Sequence, residues 1–85
     1  MSNLNRPLLD GVHRHMKEFG YLHSIPSLQS NLANEVRTLR ARSGMTQSDL
    51  AIALETSQAH VSAIETGKTM LTLEMILRMD TIFRN

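Results

Sequence analysis

Side chains suited to binding another molecule through hydrogen bonds are concentrated between residues 46 and 69. They are amides, hydroxyls, one imidazole and one ammonium group, with alanines between them, and they donate or accept hydrogen bonds. The sequence contains no nucleophile beside a base, no paired carboxylates and no phosphate-binding loop, so we expect neither an enzyme nor a bound cofactor. The candidate binding residues are Thr46, Gln47, Ser57, Gln58, Ala59, His60, Ser62, Ala63, Thr66, Lys68 and Thr69.

The run His13-Arg14-His15 is a candidate metal site, but residues two apart point to opposite sides of a helix. No cysteine or nearby carboxylate completes a ligand set, so we expect no metal. The chain contains no cysteine at all, which excludes disulfides and fits a reducing cytoplasm. No apolar run approaches the ~20 residues that span a bilayer, so we expect a cytoplasmic protein with no membrane contact.

Apolar residues recur at helical spacing, whereas the alternation of apolar and polar residues typical of strands is absent. The sequence therefore predicts an all-α protein. We expect one helix to begin at Pro7 and stop at Gly20, and another to begin with a cap at Ser24 or Ser27 and reach Arg42. The apolar edge of the earlier helix consists of Leu8, Val12, Met16 and Phe19.

Three later helices are predicted over residues 46–54, 57–66 and 72–83, each beginning at a side chain that can cap a helix. Asp49 completes a capping box with Thr46. Gly67 ends the middle helix of the three, because a left-handed residue costs little without a Cβ atom. Two short helices joined by a three-residue turn result, and the second carries small polar residues on its outer face.

The pattern within these two helices is Thr46-Gln47-x-x-Leu50-Ala51-x-x-Leu54-x-x-Ser57-x-x-x-Val61-Ser62-x-Ile64-Glu65-x-Gly67. It resembles the phage repressor and Cro (XRE-type) helix-turn-helix family, and the resemblance covers roughly residues 32–83. It implies a lambda-repressor-like helix-turn-helix domain over residues 31–85, with four family helices and the fifth absent. Residues 1–30 would form an N-terminal helical extension that fills some of the space left by the fifth helix.

The resemblance also implies an ion pair, because Arg40 and Glu65 match an arginine and a glutamate that pair in the family. We expect this pair to support the fold and not to contact DNA. The family usually has glycine at the position of Glu55, in the turn between the two helices. A residue with a Cβ atom there costs ~1 kcal/mol if the turn is left-handed.

The proposed ligand of this motif is double-stranded DNA, read in the major groove. The Gln58 amide can form two hydrogen bonds with adenine, and short Ala59 and Ala63 would let the helix approach thymine methyl groups. Gln47 lies at the amino end of its helix, where phosphate is favoured, and the matching glutamine in the family contacts the DNA backbone. The remaining candidates would hydrogen-bond bases or phosphates. We expect Arg37 and Arg42 to lie on a solvated face.

The net charge is only +1, which is low for a DNA-binding protein. Either the basic side chains cluster in space, or the protein binds as a dimer that doubles its contacts. The last helix offers a surface for a dimer. We expect its Leu73, Ile76, Leu77 and Phe83 to face the core.

A second apolar stripe on the same helix, formed by Met75, Met79 and Ile82, either packs on the N-terminal extension or meets another protein. We expect a homodimer held by this stripe together with the extension's Leu8, Val12, Met16 and Phe19. The function that follows is a sequence-specific, dimeric repressor at a palindromic operator. The alternative is an antitoxin whose same surface holds a toxin partner and which represses its own operon.

Overall fold

The computed structural model describes residues 5–19 and 25–84, apart from the side chains of Phe19, Ile25 and Pro26. Within these ranges the chain is all-helical and contains no strand, which confirms the predicted fold class. None of the described helices has the length and apolar character needed to cross a membrane. The helices are α1 (Pro7–Phe19), α2 (Ile25–Arg42), α3 (Gln47–Leu54), α4 (Gln58–Glu65) and α5 (Leu73–Phe83).

The first helix begins at Pro7, as the sequence predicts. The last three helices also begin where predicted, because their capping side chains satisfy backbone N–H groups that the helix itself leaves free. The Thr46 hydroxyl accepts from the Asp49 N–H at 3.0 Å, and the Asp49 carboxylate accepts from the Thr46 N–H at 2.9 Å. Ser57 and Thr72 cap α4 and α5 in the same way. These caps fix the starting points of α3, α4 and α5.

The core lies where α2 is covered by α1 and α4, while α5 packs against α1 and α3. The family motif's apolar residues contribute to it, since Leu50, Leu54, Val61 and Ile64 are all buried. The predicted division between residues 30 and 31 lies inside α2, which runs through it without a break. That division stays a prediction.

The two faces of α5 are assigned differently from the sequence prediction. Met79, expected on a partner surface, is fully buried, and so is Leu8 of α1. Val12, Met16, Met75 and Ile82 are partly buried and pack against the same core. The physical reason is that α1 lies against α5 and covers this stripe within the chain. The side chain of Phe19, the remaining residue of that predicted surface, lies outside the described residues.

Of the four α5 residues predicted to face the core, Ile76 and Phe83 are buried and the other two are exposed. Leu73 and Leu77, which the sequence assigned to the core, are 62% and 43% exposed. They are four residues apart and therefore lie on one face of the helix. We call these two side chains the leucine patch.

A buried carboxylate holds α1 onto α5. Asp80 of α5 is almost fully buried, and its two oxygens accept hydrogen bonds from the backbone N–H groups of Leu8 at 2.8 Å and Leu9 at 3.0 Å. These N–H groups belong to the first turn of α1, which has no partners for them within the helix. A negative charge at this helix end is favourable as well. Asp80 thus acts as a remote cap for α1.

We expect Asp80→Ala to lower the free energy of unfolding by about 2–4 kcal/mol, because one buried and one partly buried N–H group lose their acceptors, at ~1–3 kcal/mol for a fully buried group. Urea denaturation of the two proteins measures the loss. Thr81→Ala is the control, since Thr81 is exposed and bonds only within α5. Equal stability of the Asp80→Ala and Thr81→Ala proteins would contradict the capping role.

Candidate nucleic-acid interface

The turn between α3 and α4 is held by a residue in a conformation that favours glycine. Glu55 has φ 59° and ψ 44°, and its N–H donates to the Ile52 carbonyl at 3.1 Å. The following N–H, of Thr56, donates to the Ala51 carbonyl at 2.9 Å. These bonds close α3 tightly and turn the chain into α4. The turn, whose geometry the sequence left open, is left-handed and has a Cβ atom in it.

The buried carboxylate of Glu65, on the inner side of α4, joins this helix to α2 and α3. The side chain of Glu65 is only 1% exposed. Arg40 Nε donates a hydrogen bond to one of its oxygens at 2.6 Å, and Arg40 Nη2 donates to the other at 3.1 Å. The Gln47 Nε2 group of α3 also donates to Glu65, at 3.1 Å. Arg40 itself bonds the Met45 carbonyl at 2.8 Å, and its hydrogen bond to Glu65 raises its pKa above the usual value. The pair implied by the resemblance is present, and Gln47 is a third member that the sequence did not indicate.

The outward face of α4 presents short side chains. Gln58, Ala59 and Thr66 are exposed, while Ser62 and Ala63 are half-exposed. Val61, Ile64 and Glu65 occupy the opposite, buried face. The structure therefore brings the predicted reading residues onto one surface of a helix that is fixed from behind.

Gln58 is oriented by its neighbour on α3. The Ser48 hydroxyl donates to Gln58 Oε1 at 3.1 Å. An amide oxygen has two lone pairs, so one remains free, and both N–H donors of the Gln58 amide remain free as well. Ser48 was not singled out from the sequence, because its role depends on how α3 crosses α4.

Several other candidates already make internal hydrogen bonds. The Ser57 hydroxyl accepts from the His60 N–H, and the Thr66 hydroxyl donates to the Ser62 carbonyl at 2.9 Å. His60 Nδ1 lies 2.8 Å from the Thr56 hydroxyl, which turns the ring towards the loop between α3 and α4. These residues can still offer their remaining donors and acceptors to a ligand.

The carboxyl end of α4 is braced by α2. Gln29 Nε2 donates to the Gly67 carbonyl at 2.6 Å, and Arg37 donates to the Glu65 carbonyl and to Asn34 Oδ1. These bonds satisfy carbonyls that the end of a helix leaves free. Arg37 is exposed, as expected, and these two hydrogen bonds were not predicted. Lys68, exposed, and Thr69, half-exposed, follow directly after this end.

A negative charge lies at the other end of the candidate surface. Hydrogen bonds from the Thr46 backbone N–H, and then from its hydroxyl, hold the pKa of Asp49 below its usual range. Asp49 is therefore ionised at neutral pH. This carboxylate lies in the first turn of α3, next to the residues that were expected to meet phosphate.

The two histidines considered as metal ligands lie on different sides of α1. His13 is exposed, whereas His15 is buried with its Nδ1 3.1 Å from the Asn31 amide nitrogen. Across residues 5–19 and 25–84, no cluster of three or more histidine, aspartate or glutamate side chains is arranged to hold a metal ion.

A family model described as a helix-turn-helix domain matches residues 31–84, which is more than half of the chain. The matched segment contains most of α2 and all of α3, α4 and α5. No curated protein matches the chain.

We expect Glu55→Gly to raise the free energy of unfolding by ~1 kcal/mol, because glycine adopts the left-handed turn without a Cβ clash. Chemical denaturation measures the gain. Glu55→Gln is the matched control, since it removes the charge and keeps the Cβ atom. An equal gain from Glu55→Gln would show that charge, and not backbone conformation, limits stability at this turn.

Proposed function

The chain belongs to the helix-turn-helix domain family, and from this we propose that it is a sequence-specific DNA-binding transcriptional regulator of the phage repressor and Cro type. It acts as a dimeric repressor on a palindromic operator in the cytoplasm. The observation that carries the proposal is the outward face of α4, where Gln58 and a row of short side chains lie exposed on a helix anchored from behind. A helix of this kind fits the major groove.

Gln58 is the proposed base-reading residue. Its free oxygen lone pair would accept from adenine N6, and its Nε2 would donate to adenine N7. The Ser48 hydroxyl supports this role, because it holds the amide in one orientation before DNA arrives. Ala59 and Ala63 add no bulk that would keep the helix away from thymine methyl groups.

Phosphate contacts would set the register of the protein on DNA. Gln47 supports such a contact through its second amide N–H, since the first donates to Glu65. Thr46, Ser57, Thr66, Lys68 and Thr69 surround the same face and are the other phosphate candidates. Lys68 supplies a positive charge to this group.

We expect Gln58→Ala to weaken specific binding by roughly 1–3 kcal/mol and to relax the preference at one base pair of each half-site. Selection of bound sequences from random DNA gives the motif of each variant. Lys68→Ala is the control for a phosphate contact and should lower affinity while leaving the motif unchanged. If Gln58→Ala selects the wild-type motif, Gln58 does not read a base. If the wild type selects no motif, the proposed function is wrong.

The dimer requires a different surface from the one predicted by the sequence, because Leu8 and Met79 are buried within the chain. We propose the leucine patch of α5 as its centre. The Glu74–Arg78 ion pair borders this patch, with an N–O distance of 3.1 Å. Two copies of α5 packed antiparallel about a two-fold axis would place Glu74 of each copy near Arg78 of the other. The patch is thus self-complementary in charge as well as apolar.

We expect the wild type to sediment as a dimer at micromolar concentration without DNA, and Leu73→Glu to sediment as a monomer. Placing a charge in the apolar centre removes burial that contributes ~25 cal/mol per Å². Ile52→Glu is the control, since Ile52 is exposed on α3 and outside the patch. A monomeric wild type, or a Leu73→Glu protein that stays dimeric, would contradict this interface.

The second candidate function is an antitoxin that neutralises a toxin and represses its own operon. The exposed leucine patch favours it, because an apolar surface of this kind also suits a different protein partner. Co-expression with the product of the adjacent gene tests it. A stable complex that Leu73→Glu abolishes would support the antitoxin, and a neighbour that forms no complex would exclude it as the toxin.

A further inference from the structure

A polar cleft lies between the first half of α2 and the end of α4. Its volume is about 360 Å³. Thr66, at the end of the outward face of α4, lines it and connects the cleft to the candidate DNA surface. The other lining residues are Gln29, Ser30, Ala33, Asn34, Arg37 and Gly67.

The Arg37 guanidinium in this cleft has no carboxylate partner. The ion pairs of the described residues join Arg40 to Glu65 and Arg78 to Glu74, and neither involves Arg37. Its hydrogen bonds go to neutral oxygens, the Glu65 carbonyl and the Asn34 amide. A guanidinium has five N–H donors, so three remain for another acceptor.

The charges along the candidate DNA surface favour binding of an anion at the carboxyl end of α4. Asp49 places a carboxylate at the start of α3, whereas Arg37 and Lys68 place two cations without carboxylate partners beside the last turn of α4. Thr66 lies on the wall of the cleft, and its hydroxyl hydrogen is used within α4, so the cations are the donors left for a ligand. A phosphodiester group is an anion with oxygens that accept from a guanidinium and an ammonium together.

We propose that this cleft binds one backbone phosphate of duplex DNA through Arg37, helped by Lys68 next to the cleft residue Gly67, and that Arg37 is a DNA contact in addition to bracing α4. The inference rests on the proposed function. It extends the DNA footprint past the carboxyl end of α4 and onto α2, to a residue outside the motif that reads bases. It also supplies positive charge that the net charge of +1 does not suggest.

The salt dependence of binding to a short mixed-sequence duplex tests the proposal. Each lost phosphate contact reduces the slope of log K against log salt by about 0.9. We expect Arg37→Gln to reduce the slope by about one, Arg37→Lys to retain most of it, and neither to change the selected motif. Arg14→Gln is the charge-matched control, because Arg14 is exposed on α1 and does not line the cleft.

An added cation gives an independent measurement that does not disturb the Arg37 brace. Ser30 is exposed and lines the cleft, so Ser30→Lys should steepen the slope, whereas Thr38→Lys, exposed on α2 and outside the cleft lining, should not. An Arg37→Gln protein with lower affinity and an unchanged slope, or equal slopes for Ser30→Lys and Thr38→Lys, would overturn the phosphate site. A wild type that does not bind duplex DNA would instead overturn the proposed function.

Discussion

The buried carboxylate of Glu65 is the constraint on which the orientation of the outward face of α4 depends. A charge removed from water is costly unless hydrogen bonds and an opposite charge compensate it. Here Arg40 supplies the charge from α2, and Gln47 supplies an amide from α3. Because all three side chains must meet, α4 cannot rotate or slide relative to α2 and α3 without leaving the carboxylate unpaired. The apolar contacts of α4 hold it in place, and this network selects its orientation.

The same use of polar side chains recurs at the edges of the fold. Asp80 ties the first turn of α1 to α5, and Gln29 and Arg37 tie the end of α4 to α2. Each contact satisfies backbone groups that helix ends leave free. In a chain of this size the apolar core alone contributes little stability, so such contacts matter for how the helices are arranged. The polar groups that join the helices lie on their inner sides, and short side chains lie on the outer face of α4.

Local features were predictable from the sequence. The caps at Thr46, Ser57 and Thr72 and the exposure of Gln58 follow from residues within a few positions of each other. The left-handed conformation of Glu55 did not follow in this way, because a residue with a Cβ atom does not favour it. The exposure of the two stripes of α5 was not predictable in this way. Both stripes are apolar, and only the position of α1, about 70 residues earlier, decides that Met79 is covered and Leu73 is not. Asp80 and Gln29 were missed for the same reason, since their partners lie 72 and 38 residues away.

A double-mutant cycle on Arg40 and Glu65 tests most directly whether the buried network holds α4 in place. The variants are Arg40→Met, Glu65→Gln and the two together, and the measured quantity is the free energy of unfolding. Each single substitution leaves a polar group without its partner, so both should be destabilising, whereas the double variant should recover part of the loss. A coupling energy within the ~0.5–3 kcal/mol range of interacting pairs is expected. Losses that simply add, within ~0.5 kcal/mol, would contradict the account.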